Sequence, residues 1–194
     1  MNRITYDTVL KDPAPLLREK SVPLHIPLKQ KDLALAKRLL RYVHDSRDDE
    51  KALKYNLKPA VGIAAPQVGE LVQLICVVAE DENDNEHEYL LANPKIISHS
   101  IQEAALSTGE GCLSIEDYKE GYVFRPARIK VRAYDVLAEV EVEIKLSGFV
   151  AIVMQHEIDH LSGVLFYDHI NQDNPWLKKE NAIILGESDT VENV

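Results

Sequence analysis

The sequence predicts an α+β fold, in which antiparallel β-sheets pack around a central helix and another helix lies nearer the N-terminus. Apolar residues recur at the helical spacing of three to four in one early and one late segment, whereas the segments between them resemble strands. Neither an internal repeat nor a Gly/Ser-rich linker interrupts the 194 residues. We therefore expect one domain over residues 1–194, although the segment after residue 174 matches no pattern that we can assign.

The early helical segment begins near Lys31 and ends near Ser46. Its apolar residues are spaced as on the buried face of an amphipathic helix, notably Leu35, Leu39 and Tyr42. The charged run 46–51 that follows predicts a solvated loop. Upstream, Asp12-Pro13 predicts a capped helical turn with proline in its first position.

Four segments predict strands. Residues 71–78 are apolar and rich in β-branched side chains, as in a mostly buried strand, and an acidic connection over 80–88 follows. Residues 89–98 form the second strand, and Asn93-Pro94 within it predicts an edge or a bend because proline cannot donate to a ladder. Residues 127–134 and 139–146 alternate apolar and polar side chains, which is typical of antiparallel strands with one buried face.

The charge balance argues against several classes of protein. The chain has 22 Lys+Arg against 32 Asp+Glu, a formal net charge of −10, so it lacks the basic footprint of a nucleic-acid-binding protein. No apolar run approaches the ~20 residues that cross a bilayer, and the first residues lack the features of a signal peptide. We expect a cytoplasmic protein without a membrane partner or a specific nucleic-acid ligand.

The late helical segment, from residue 147 or 148 to Leu161 with Gly163 as its stop, contains an H-E-x-x-H motif, His156 to His160. Residues four apart lie one above the other on a helix, so both imidazoles can reach one metal ion. Glu157 flanks that ion and is suited to act as a general base toward water that the metal activates. The motif therefore predicts a metal-binding central helix.

A catalytic site of this kind usually has a third protein ligand and one open position. The spacing of metzincins would require a ligand at Phe166, so that class is excluded. Two candidates remain open: Glu180, as in other zinc endopeptidases, and Cys112, in a glycine-flanked polar turn. The remaining cysteine, Cys76, lies in an apolar segment and is expected to be buried core, and a disulfide between the two is not expected in a cytoplasmic protein.

A third segment, residues 60–69, is rich in small side chains and ends in Ala-Pro-Gln-Val-Gly. Small residues allow another backbone to approach closely, and the neutral amide of Gln67 can stabilise an oxyanion. From the residue types alone, a tightly packed turn before the next strand is an equally good interpretation.

Taken together, three segments resemble the signature motifs of peptide deformylases: Gly62-Ile-Ala-Ala-Pro-Gln67, Glu110-Gly-Cys-Leu-Ser114 and Gln155-His-Glu-Ile-Asp-His160. The resemblance covers roughly residues 1 to 170 and is nearest to the longer type of Gram-positive bacteria. Ala60 departs from the family pattern, which has glycine there. Its methyl group disfavours positive φ and puts fine substrate preference in doubt.

The resemblance implies that Cys112, His156 and His160 bind the metal with water in the fourth position, and that Glu157 is the general acid and base. The side-chain amide of Gln67 and the backbone N–H of Leu113 would stabilise the oxyanion. The substrate is the formyl group on the N-terminal methionine of a nascent chain, which is released as formate.

The resemblance also implies a place for the peptide. Backbone near Val61-Gly62 and near Gly121-Tyr122 would pair with it as added strands, and Ile152 and Val153 would line part of the methionine pocket. Gln155 would support the site from behind the ligands.

The cofactor is expected to be one divalent metal ion, and the donor types suit several such ions. The resemblance favours Fe²⁺ as the native ion, with Zn²⁺ or Ni²⁺ able to replace it. The expected partners are formyl-Met nascent peptides and, transiently, the ribosome, and we expect a monomer. Two other functions remain open: a zinc endopeptidase that uses Glu180, and a non-catalytic metal-binding or peptide-binding domain.

Overall fold

The computed structural model describes residues 3–186. It contains three α-helices within that range: α1 (Gln30–Ser46), α2 (Asp49–Tyr55) and α3 (Gly148–His160). Short 3-10 turns precede α1 at Tyr6–Thr8 and Pro15–Arg18, follow β1 at Ala65–Val68 and follow α3 at Phe166–His169.

Eight strands form two sheets in the described part of the chain. The strands are β1 (Gly62–Ala64), β2 (Leu74–Glu80), β3 (Glu86–His99), β4 (Glu103–Leu106), β5 (Arg125–Pro126), β6 (Arg128–Asp135), β7 (Val140–Ser147) and β8 (Ile183–Leu185). The larger sheet is antiparallel, in the order β1-β2-β3-β6-β7, and the smaller one has the order β5-β4-β8. In the smaller sheet, β4 and β8 pair in parallel. All other strand pairs are antiparallel, as predicted.

The larger sheet lies between α1 and α3. Alternate residues of β2 belong to two separate cores: Leu74, Cys76 and Val78 pack with α1, whereas Ile75, Val77 and Ala79 pack with α3. Because both faces of this strand are covered, its sequence is continuously apolar. The helix α3 packs against β1, β2 and β7 and also contacts β4, which belongs to the smaller sheet.

The first helix and both cysteines agree with expectation. The helix α1 begins one residue before Lys31 and buries Leu35, Leu39 and Tyr42. Cys76 is fully buried, and it forms no disulfide with Cys112 because both are free thiols.

Near the N-terminus and after α1, two local predictions are wrong. The charged run 46–51 is not only a loop, because α2 starts within it at Asp49 and the side chain of Asp48 caps it by accepting from the Lys51 N–H at 3.0 Å. Upstream, the helical turn has Pro15 rather than Pro13 in its first position.

The strand β3 is bent at Asn93-Pro94, but it is not an edge strand. Its partners are β2 on one side and β6 on the other, and the register with β6 shifts between Ala92 and Lys95. Asn93 adopts φ 54°, and its side chain accepts from the Leu24 N–H (2.7 Å) and donates to the Leu24 carbonyl (2.8 Å). The bulge therefore removes proline from the ladder without placing the strand at an edge.

The helix α3 is buried around its circumference from Val150 to Glu157, and Gly163 follows it at φ +73°. Four polar side chains of this helix are therefore buried: Gln155, His156, Glu157 and His160. Buried polar groups usually require partners, and the surroundings of His156, Glu157 and His160 form the site described below. No helix within residues 3–186 is long and apolar enough to cross a membrane.

Candidate metal centre and active site

Two segments bring three metal-ligating side chains together. His156 and His160 come from α3, and Cys112 comes from the loop that follows β4. One potential ligand atom of each lies within 4.8 Å of the other two, and Cys112 Sγ is 3.3 Å from His160 Nε2. Two imidazoles and a thiol at this separation match the donor set of a divalent transition-metal site.

The chemistry of the donors fits a cation. Burial alone would raise the pKa of the Cys112 thiol, but His160 and His156 beside it lower that pKa well below its usual range. A thiolate is the form that binds a metal ion. The Nδ1 atom of His156 is hydrogen-bonded to Glu110 Oε2 at 2.8 Å, which leaves Nε2 as the atom available for coordination.

Behind His156 lies a buried ion-pair network. Arg125 is 4% exposed and donates to both oxygens of Glu110, from Nε at 2.7 Å and from NH2 at 3.0 Å. Its NH1 donates to Asp159 at 2.7 Å, and Asp159 also contacts His169 Nε2 at 2.8 Å. Burial alone would raise the pKa of Glu110, but His156 and Arg125 keep it below its usual value, so the carboxylate that orients His156 is ionised.

Glu157 lies beside Cys112 and His156 in the same space. Its Oε2 atom is buried and unpaired within residues 3–186. Burial raises the pKa of this carboxyl group to about 7, against the lowering effect of His156 and His160. A carboxyl group with this pKa can both accept and release a proton near neutral pH.

Gln67 is oriented by the turn that follows β1. Its Oε1 accepts from the Ala64 N–H at 2.8 Å, so Nε2 faces the loop of Cys112, 3.1 Å from Ser114 Oγ and 3.5 Å from Cys112 Sγ. The backbone N–H of Leu113, in the same loop, has no intramolecular acceptor in the described part of the chain. The Gln67 amide donates to Ser114 and Cys112, and the Leu113 N–H is a second neutral donor in this loop, without an acceptor among the described residues.

A cavity of about 390 Å³ opens over these groups. Its apolar wall includes Val61, Leu106, Phe149, Ile152 and Val153. Its polar end is formed by Gln67, Cys112, His156 and Glu157. An apolar cavity with a few convergent polar groups is typical of a site for a small ligand or a chain end.

Comparison with known proteins agrees with this geometry. The profile of the family described as polypeptide deformylase matches residues 6–176. Peptide deformylase 2 of Bacillus subtilis is 44% identical over 182 residues, which cover 94% of this chain and 98% of that protein. The chain belongs to the polypeptide deformylase family.

Other relatives lead to the same family. The peptide deformylase of Halalkalibacterium halodurans is 47% identical over 167 residues, covering 86% of this chain and 91% of that protein. The crystal structure of peptide deformylase from Ehrlichia chaffeensis aligns with a TM-score of 0.71 at 27% identity, covering 90% and 91% of the two chains. The Bacillus relatives confirm the resemblance to the Gram-positive type.

Membership of the deformylase family establishes the activity. The protein is a hydrolase that removes the N-formyl group from newly synthesised proteins. The family is metal-dependent, and the cluster of Cys112, His156 and His160 is a group that can hold a metal ion. The endopeptidase interpretation is not favoured, since Glu180 is exposed and lies outside this cluster.

The structure brings most of the predicted deformylase site residues to one place. Nine of them surround the cavity or provide its polar end: Val61, Gly62, Gln67, Cys112, Leu113, Ile152, Val153, His156 and Glu157. His160 joins them through the cluster of ligand atoms. Gly121 and Tyr122 do not line the cavity, and the Tyr122 N–H donates to the Pro175 carbonyl at 2.8 Å. Gln155 donates to the Ala151 and Pro126 carbonyls and so joins α3 to β5.

Sequence reasoning gave no role to several residues of the deformylase site. Glu110 and Asp159 lie inside two of the three signature motifs. Their place in these motifs is the sequence feature that could have identified them as site residues. Nothing local in the sequence marks Arg125 as the residue that joins them. Arg47 and Lys58 also line the cavity, but in the sequence they belong to charged stretches with the pattern of a solvated surface.

Proposed function

We propose that Cys112, His156 and His160 hold one divalent metal ion on the central helix α3, and that Glu157 is the general acid and base of deformylation. The observation that carries this proposal is the cluster of three ligand atoms within 4.8 Å of one another beside the unpaired carboxylate of Glu157. When bound, the ion supplies Lewis acidity that activates a water molecule near neutral pH. Imidazole and thiolate donors suit several divalent ions, and family membership supports Fe²⁺ as the proposed native ion, with Zn²⁺ or Ni²⁺ as replacements.

Two donors of this chain are placed to stabilise the oxyanion. The Nε2 group of Gln67 is held toward the loop of Cys112, because its Oε1 accepts from Ala64. The Leu113 N–H is free within the described residues. We assign both to the formyl oxygen, which gains negative charge when water attacks the formyl carbon.

Proton transfer is assigned to Glu157. Its carboxylate takes one proton from the attacking water and passes it to the amine nitrogen as the carbon–nitrogen bond breaks. The products are formate and a chain with a free amino terminus, so water and the formamide are fully accounted for. The pKa of about 7 favours both halves of this transfer.

The peptide is proposed to enter along the backbone of Val61-Gly62, where small side chains leave room for strand-like pairing. The methionine side chain would occupy the apolar wall formed in part by Ile152 and Val153. We also propose that the backbone of Gly121-Tyr122, outside the cavity, pairs with the peptide. This pairing would use carbonyl groups, because the Tyr122 N–H already donates to the Pro175 carbonyl.

The substrates are formyl-Met nascent peptides, and we propose that the protein meets them as a single-domain monomer in the cytoplasm, with transient contact to the ribosome. The net charge of −10 supports brief encounters over tight general binding to RNA.

The test is formate release from a formyl-Met peptide by the protein as purified without oxygen, with its metal content measured in parallel. Glu157→Ala should abolish release and keep the metal, and Cys112→Ser should lose the metal. Glu180→Ala is the control and should retain both. Full activity in Glu157→Ala, or loss of metal in Glu180→Ala with retention in Cys112→Ser, would refute these assignments.

A further inference from the structure

A second cavity, of about 540 Å³, lies against the first half of α1 and is separate from the catalytic cavity. Five cationic side chains line it: Arg3, Lys31, Lys37, Arg38 and Arg41. No acidic side chain lines it among the described residues, although the whole chain has a net charge of −10. This cavity is therefore a local region of positive potential on an acidic protein.

Most of these charges are not neutralised by the protein. Arg41 and Arg3 both contact Asp45, with Arg41 Nε at 3.3 Å. In contrast, Lys31, Lys37 and Arg38 form no ion pair within residues 3–186. Asp32, in the first turn of α1, is buried but does not line the cavity.

Arg38 differs from the other cationic residues of the cavity in having a buried side-chain N–H without a partner among the described residues. Its Nε atom is buried and has no hydrogen-bond partner within the part of the chain that the structure describes. A buried N–H without an acceptor is destabilising, and repulsion from the neighbouring cations adds to that cost. Arg38 lines the cavity, and an anion there would offset the repulsion among the cations.

The start of α1 adds to the same potential. Gln30 and Lys31, its first two residues, line the cavity, and the N-cap residue Lys29 provides no side-chain cap. The positive end of the helix dipole therefore lies in the region of the cationic side chains. The apolar residues Ile4 and Leu33 complete the cavity wall.

We propose that this cavity binds a phosphate group of a phosphate ester. Several converging cations and the planar guanidinium fork of Arg38 match a group with multiple charges and several acceptor oxygens better than a single carboxylate. Either a free nucleotide or the backbone of RNA can supply such a group. The cavity is distinct from the catalytic one, so this site does not depend on the assignments made for deformylation.

The probes are inorganic tripolyphosphate, measured by titration calorimetry, and a labelled short single-stranded RNA, measured by fluorescence anisotropy over a salt series. Both should bind the intact chain, and tripolyphosphate should displace the RNA. Lys31→Gln/Arg38→Gln should weaken both by roughly tenfold and lower the salt slope for RNA by about 0.7 for each lost phosphate contact. Binding of tripolyphosphate without RNA would identify a free anion as the ligand.

Lys95→Gln/Lys145→Gln is the matched control. Both lysines are exposed and lie outside the cavity, and the double substitution removes the same charge as Lys31→Gln/Arg38→Gln. It should change binding by less than about twofold. Arg38→Lys keeps the charge and loses the fork, so it should weaken binding several-fold if the site is built around Arg38. All variants should hydrolyse the formyl peptide at the normal rate, which verifies folding.

Three results would overturn the proposal: no binding of either probe, equal weakening by the control pair, or RNA binding that tripolyphosphate does not displace.

Discussion

The carboxylate of Glu157 lies against the backbone of Gly62, so closely that a methyl group at residue 62 would stand 2.4 Å from Oε1 and 2.9 Å from Cδ. Residue 62 must therefore be glycine because a larger side chain would collide with Glu157, and not because of its backbone conformation. It leaves room for the carboxylate of α3 to reach the cavity beside β1, and it keeps the proposed peptide edge next to the proposed base.

Gly62→Ala should displace Glu157 and lower kcat/KM for a formyl-Met peptide by about 100-fold, since small displacements of a catalytic group cost this much. Metal content should be unchanged, because the three atoms nearest to the added methyl group all belong to Glu157 and none to a proposed metal ligand. Steady-state kinetics and metal analysis of the same preparation measure both effects. Gly111→Ala is the control: Gly111 also lines this cavity, but its added methyl group meets no atom within 4 Å. An equal loss in the two variants would show that the contact with Glu157 is not the cause.

Glu110→Gln should weaken metal binding by roughly 10- to 100-fold, because Glu110 fixes the ring of His156 through a 2.8 Å hydrogen bond. The amide is of similar size but lacks the charge that pairs with Arg125. Competition with a chelator measures the affinity directly. Glu103→Gln removes a carboxylate of the surface, paired with Lys179 at 2.8 Å, and should leave metal binding intact. Unchanged affinity in Glu110→Gln would mean that the ring is held by packing alone.

The residues that the sequence identified are those with local signals. The spacing of His156, Glu157 and His160 is a property of one helix, and the pattern from Lys31 to Ser46 is a property of another. Cys112 is distant in sequence from both histidines, so the residue types alone do not distinguish it from Glu180 as the third ligand. Only the resemblance of the three motifs favours Cys112. The structure places the thiol 3.3 Å from His160.

The features that the sequence did not predict depend on tertiary contacts. The proline at residue 94 is compatible with a central strand because Asn93 forms a bulge and binds the Leu24 backbone, which no strand pattern contains. The helix α2 is short and charged, so only the cap at Asp48 marks its start. The net charge of −10 is a sum over the whole chain, so it does not reveal the local cluster of cationic side chains at the cavity on α1.

Ala60→Gly tests the departure from the family pattern. Ala60 does not have a positive φ, so its methyl group causes no strain of this kind, and it lines the catalytic cavity. The glycine variant should unfold more easily by about 0.4–1 kcal/mol, owing to the larger entropy of its unfolded chain. Its metal content should be normal, and kcat/KM for a formyl-Met peptide should change by less than roughly threefold. A larger gain in activity would show that the methyl group narrows substrate entry.

Arg125→Ala should lower the free energy of unfolding by about 3–5 kcal/mol, because it leaves the buried carboxylate of Glu110 without its cation. Arg125 and Glu110 are each 4% exposed at the side chain, so the intact pair is shielded from bulk solvent. Arg132→Ala is the matched control. It breaks another Arg–Glu pair, with Glu143 at 2.7 Å, but its side chain is 60% exposed, and the expected cost is about 0–1 kcal/mol. Urea unfolding of both variants, with metal removed from all samples, separates this effect from stabilisation by the bound ion. If the two substitutions cost the same, the network behind His156 does not contribute to stability as a buried ion pair, and its role is confined to orienting the ligand.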